Sequence, residues 1–184
     1  MKAKWLLPVV ALFLSACGYN SIQTMDETAA AARQQIEVQL QRRADLVPNL
    51  VETVKGYAAQ EERIFTEVAQ ARSALLGARS GGNMSEMANA NQELTGALGR
   101  LLAISESYPQ LKSDANFLRL QDELTGTENR IAVSRTDYNN AVRDYNAYIR
   151  RFPAVLTAKV TGAKAREYFE VTNAANREAP KVSF

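Results

Sequence analysis

From Tyr19 to Phe152 apolar side chains recur three and four residues apart almost without interruption, and this rhythm limits the possible folds more than any other feature. A period near 3.5 gathers the apolar set on one stripe of a helix and calls for shallow-angle, left-handed packing against other helices. The 184 residues include only 9 glycines and 5 prolines, so the rhythm has few places to break. The expected class is all-α: a bundle of long, coiled-coil-like helices followed by an extended C-terminal tail.

Four segments lie between breakers. The first, about 20–43, carries Ile22, Met25, Ala29, Ala32 and Ile36. The second, about 45–79, carries Val47, Leu50, Val54, Tyr57, Glu61, Ile64, Val68, Ala71 and Leu75. The third, about 84–108, carries Met84, Met87, Asn91, Leu94, Leu98, Leu101, Ser105 and Tyr108. The fourth, about 114–151, runs from Phe117 through Leu120, Leu124, Thr127, Ile131, Ser134, Tyr138, Ala141, Tyr145 and Tyr148 to Phe152. Asp45 can cap the second helix with Pro48 in its first turn; alternatively, one kinked helix runs through that point. Gly81 and Gly82 break the chain, and Asn83 with Glu86 forms a capping-box-like start. Pro109 ends the third helix, Ser113 can cap the fourth, and Pro153 stops it. At 1.5 Å per residue the rods are roughly 36, 52, 37 and 57 Å long. Unequal rods leave protruding ends, which residues 153–184, a short helix and an extended tail, are expected to cover.

The start of the chain reads as an address. Lys2 and Lys4 precede an apolar run, Trp5 to Leu14, and the small residues Ser15 and Ala16. This is the pattern of a bacterial secretory signal over residues 1–16. Trp5 to Cys17 makes about 20 Å of helix against roughly 30 Å of hydrocarbon, too short to span. Leu14-Ser15-Ala16-Cys17 looks like a lipobox, and Cys17 is the only cysteine. Cys17 is therefore the expected lipid attachment site, and two acyl chains suffice for stable anchoring. The alternative is an uncleaved, kinked anchor that would place Pro8 inside a helix shorter than the bilayer. Removal of residues 1–16 takes Lys2 and Lys4 away, so the 22 basic residues fall by two to match the 20 acidic ones. A balanced chain lacks the basic excess of a nucleic-acid binder, and no polybasic membrane patch is expected.

Residue types restrict the chemistry. Without histidine there is no Ser-His-Asp triad, no Cys-His pair and no Glu-x-x-His di-metal site. One cysteine makes neither an internal disulfide nor a cysteine-based metal site. Glu61 on the apolar seam reads as a rim residue or the partner of a basic group, and Met84 and Met87 read as core filler. No S-x-x-K, G-x-S-x-G or Walker glycine loop occurs. The expectation is no enzyme, no metal and no cofactor. Arg42-Arg43 and Arg150-Arg151 read as cations at helix C-termini that complement the dipole.

The third segment carries the candidate contact site. With Leu94, Leu98 and Leu101 facing the core, Gly96, Gly99 and Ala103 fall on the outer face. Interior helical glycines each cost about 1 kcal/mol relative to alanine, so something is expected to approach this face closely. One occupant is the tail, whose anchors would be Tyr168, Phe169, Val182 and Phe184. The other is a second protein or a second copy of this chain.

Gln39 to Ala58, QLQRRADLVPNLVETVKGYA, resembles the signature of the LemA family. The resemblance continues through Leu94 to Leu102, Tyr108-Pro109, Asn116-Phe117-Leu118 and Glu128 to Ala132. It ends with Phe152-Pro153, Tyr168-Phe169-Glu170 and Ala179 to Phe184, so it covers essentially the whole mature chain. It implies an up-and-down four-helix bundle, here residues 17–152, fixed to a bacterial membrane by its N-terminus, and no known reaction. Many members keep a spanning helix before the bundle; this chain departs from them with its lipobox. The leading expectation is a lipid-anchored interaction or scaffold protein of the cell envelope, facing the periplasm or exterior. Its partners would be the membrane and an envelope protein, with self-association through the same face as a companion. The second is a small-molecule carrier or sensor whose cavity is lined by the seam polar groups Asn91, Ser105, Thr127 and Ser134; the plainer role of those groups is to fix helix register.

Overall fold

A computed structural model describes the backbone of residues 6–171 and the side chains of residues 18–171. Every regular element among the described residues is helical. The helices are α1 (Leu6–Lys55), α2 (Glu62–Gly81), α3 (Met84–Ala103), α4 (Pro109–Lys112), α5 (Ala115–Tyr148) and α6 (Ala154–Thr161), with a 3-10 turn at Ile104–Glu106. Among the described residues no helix is long and apolar enough to cross a membrane. The chain divides into two compact units, Met1–Gln35 with Ser134–Tyr168 and Ile36–Val133 with Phe169–Phe184.

In the first unit, Ile22, Tyr145, Ile149 and Ala158 form a buried cluster with Met25, Tyr148 and Ala163 packed against it. The buried set on α5 here is Tyr138, Val142, Tyr145 and Asn146, with Ile149 just past its end, so Ala141 and Tyr148 lie at its edge. α5 ends at Tyr148, which leaves Phe152 outside the stripe and 81% exposed. α6 turns Ala154, Thr157 and Ala158 inward. Its small inward residues let α1 come close: a Cβ on Gly18 would lie 3.2 Å from Thr157 Oγ1 and 3.7 Å from Ala154 Cα. Gly162 closes α6 at φ +72°, a left-handed cap that glycine adopts without steric cost, and the chain continues without regular secondary structure.

In the second unit, α1 contributes Ile36, Leu40, Val47, Leu50 and Val54 to the core. α2 adds Phe65, Val68 and Leu75, and α5 adds Phe117, Leu120, Leu124 and Ile131. On α3, Met84, Met87, Asn91, Leu94, Leu98 and Leu101 are all buried, as the heptad reading requires, and Ser105 follows in the 3-10 turn. Gly82 at φ +75° ends α2, and Asn83 Oδ1 accepts the Glu86 amide at 2.9 Å to start α3 against it.

Four boundaries differ from the sequence reading. α1 does not stop near Arg43; it takes the single-helix alternative through Pro48. Asp45 is no cap: its Oδ1 accepts Gln41 Nε2 at 2.6 Å, one turn back in the same helix. The break falls instead at residues 56–61, where Gly56 and Tyr57 close the end of α1 on Glu52 and Val54. Third, α3 ends at Ala103, and Pro109 opens α4 rather than closing α3, because a first-turn proline loses no amide partner. Fourth, Asp114 caps α5 by accepting the Phe117 amide at 2.9 Å, while the Ser113 hydroxyl donates back to the Pro109 and Gln110 carbonyls.

Candidate functional site

Polar groups concentrate at two places. The first lies in the second unit, around Arg43. α1 continues beyond it, so Arg43 has no helix terminus to neutralise, and its side chain is buried at 4% exposure. The dipole role expected for Arg43 is therefore replaced by cross-helix pairing. One Nη1 donates to Asn91 Oδ1 at 2.6 Å and Thr95 Oγ1 at 3.0 Å, and stands 2.6 Å from Glu128 Oε2. Burial lowers the Arg43 pKa, and the Glu128 carboxylate opposes that shift. The ion pair is close but not aligned as a hydrogen bond, and Arg43 Nε and Gln39 Oε1 are also buried without a hydrogen-bond partner. At the next residue of α1, the Ala44 carbonyl accepts a hydrogen bond from Arg72 Nε of α2 at 2.7 Å. Arg150 keeps the helix-end role expected for it, donating to the Asn146 carbonyl at 3.0 Å near the end of α5.

The second concentration, in the first unit, fixes the segment after α6. The Asn146 side chain reads both main-chain groups of Arg166: its Oδ1 accepts the amide at 2.8 Å and its Nδ2 donates to the carbonyl at 2.9 Å. Tyr138 donates its hydroxyl proton to the Glu167 carbonyl at 2.7 Å. Arg166 Nε donates to Asp26 Oδ1 at 2.7 Å, and its guanidinium lies 6.0 Å from the Tyr145 ring centroid. The Arg166 hydrogen bond lowers the Asp26 pKa against the opposing effect of burial, and burial raises that of Tyr138.

The sequence-predicted site residues are scattered. Cys17 has its backbone in α1, and its side chain lies outside the described residues. Gly96, Gly99 and Ala103 are exposed; a Cβ on Gly99 meets nothing within 4 Å. Gly96 lines an open groove of about 560 Å³ between α2 and α3, with Ala71, Ala74 and Arg100. Tyr168 is half-buried and Phe169 is buried; Val182 and Phe184 lie outside the described residues. Glu61 stands at the start of α2, where its Oε1 is 3.5 Å from the Tyr108 hydroxyl. Among the described residues, no three Asp, Glu, Cys or His side chains gather as a metal site would require.

A match to the LemA family extends over residues 32–184. This chain belongs to the LemA family. It is 33% identical over 175 residues to the magnetosome protein MamQ 2 of Paramagnetospirillum magneticum, an alignment covering 83% of this chain and 64% of the relative. It is equally similar to MamQ 1 of the same organism. It is 33% identical over 174 residues to the magnetosome protein MamQ of Magnetospirillum gryphiswaldense, covering 82% and 64%. The chain thus spans under two thirds of the length of these curated relatives. The LemA signature segment Gln39–Ala58 contains Gln39, Arg43, Ala44 and Pro48, so in this LemA chain the family-like stretch is the one built around the buried arginine. Sequence reasoning missed Arg72, Asp26, Asn146 and Arg166. The only signal was a polar Asn146 beside the stripe residue Tyr145, and it does not reveal a partner 20 residues away.

Proposed function

We propose that this LemA chain is a non-catalytic helical module of the bacterial envelope, lipid-anchored through Cys17, whose four long helices form an up-and-down bundle that serves as an interaction scaffold. What carries the reading is where the seam polar groups are spent. Asn91 receives Arg43, while Thr127 and Ser105 donate to the Glu123 and Leu102 carbonyls of the preceding turn. The Asn91 contact crosses helices and fixes register, the other two stay within their own turn, and groups satisfied in this way do not present a ligand site, which favours a scaffold over a carrier. The MamQ relatives are named for where they belong and not for a reaction, which fits the same reading.

Anchoring and docking are tested separately. Intact-mass measurement of native protein is expected to show loss of residues 1–16 and an acyl adduct; a retained Met1 without fatty adduct sinks the anchor. Cys17→Ser is expected to release the protein from its membrane or stall it unprocessed. For docking, the bare face at Gly96, Gly99 and Ala103 is the proposed contact for the tail or for an envelope partner. Crosslinking in intact cells should recover a specific envelope protein, and recovery of none under several conditions overturns the scaffold reading.

A further inference from the structure

We propose that the outward face of α6 dips into the lipid surface beside the anchor; the proposal rests on the membrane-held reading above. α6, AVLTAKVT, carries apolar residues on its outward face as well as on its inward one, so packing on one side leaves apolar surface uncovered. Ala154, Thr157 and Ala158 already use its inner face. On the opposite face Leu156 and Val160, four residues apart, are 56% and 88% exposed, and Phe152 in the preceding turn is 81% exposed. Phe152 and Val160 exceed every other large apolar side chain in exposure among the described residues.

Two further observations select lipid as the occupant. The first is position. Gly18 is buried against Thr157 and Ala154, so α6 lies beside the backbone that immediately follows Cys17. An acyl group at Cys17 would bring the membrane to α6. The second is charge. Arg150, Arg151, Lys159 and Lys164 are all exposed, and the stretch 150–164 holds no acidic residue. An apolar stripe fringed by cations is the arrangement of helices that lie in an anionic interface. The near-zero charge of the whole mature chain conceals this local excess and led to the expectation of no basic patch. A second protein or a second copy would have no need of the fringe.

The test uses the full-length chain, purified from its membrane fraction and reconstituted into phosphatidylcholine vesicles with and without phosphatidylglycerol. Tryptophan is placed at Val160 and, for reference, at exposed Gln34, about 24 Å along α1 from Gly18. Trp5, the single tryptophan of the sequence, falls within the removed residues 1–16, so wild type serves as the blank and each variant is read from its introduced indole, using lipids brominated in the acyl chain. V160W is expected to be quenched at least roughly twofold more than Q34W, and more strongly with phosphatidylglycerol. Co-flotation with equal quenching at both sites overturns the α6 contact and leaves the anchor standing. Failure to co-float overturns both. A lipid-independent blue shift of V160W together with a concentration-dependent dimer assigns the stripe to a second copy and overturns the proposal.

Discussion

Arg72 donates its Nε proton to the Ala44 carbonyl at 2.7 Å, and that carbonyl is the one Pro48 leaves without its helical amide. A proline inside a helix removes the bond from its own nitrogen to the carbonyl four residues back. α1 continues through Pro48 because a side chain from α2 takes the place of the missing donor. Ala44 is fully buried, so water would not replace that donor.

Arg72→Met therefore leaves a buried carbonyl unpaired and should cost about 1–3 kcal/mol in urea unfolding. Pro48→Ala returns the amide to Ala44. In that background the same Arg72 substitution should lose most of its effect, a coupling of roughly 1 kcal/mol. Equal costs in both backgrounds would break the link between the two residues.

The Arg43 cluster predicts a different asymmetry. Asn91→Leu removes an acceptor from a cation that is only 4% exposed and should destabilise by about 2 kcal/mol. Arg43→Met with Asn91→Leu and Glu128→Leu removes the cation along with both partners and should be close to neutral, since apolar replacement of a buried polar group together with its partners is often tolerated. A triple variant less stable than Asn91→Leu alone would contradict this.

Asp26 gives a pH dependence with a definite sign. Its folded pKa is lowered below 3.8, chiefly by the Arg166 hydrogen bond, so the pair contributes stability that is fully present above the unfolded value and is lost as pH falls through the folded one. Thermal unfolding should show wild type above Asp26→Asn at neutral pH, with the gap closing only in strong acid. A gap that persists unchanged in strong acid would exclude the carboxylate as its source.

Gly99 separates an empty face from an occupied one. With nothing within 4 Å of its Cβ position, Gly99→Ala should raise the stability of the purified protein by about 1 kcal/mol. Gly99→Leu should leave folding intact and weaken crosslinking to the partner. Unchanged stability together with unchanged association would remove this face from consideration as a contact.

The stripe was legible because it is a local property. Every heptad position from Met84 to Ser105 is buried, and the Gly82 and Asn83 signals mark the turn before them. The break at 56–61 was not legible, because Val54, Tyr57, Glu61 and Ile64 keep the three-four count across it. Only Gly56 marks it. The role of Arg43 was misread because a proline and an aspartate nearby suggested a helix end, whereas the compensating donor lies 28 residues on from the carbonyl it serves. The Asp26–Arg166 pair joins positions 140 apart in sequence, a distance over which no periodicity carries information. The small-residue face was legible as a face because its spacing is local, whereas its occupant, tail or partner, is not a local property.

Gly18 sits so close beneath Thr157 that there is no slack between position 17 and the folded body. A hydrophobic group carried at that position is joined to a stiff wall and not to a leash. The first unit would then turn less about that group than a body on a loose tether, and a pull at the attachment would reach α6 directly.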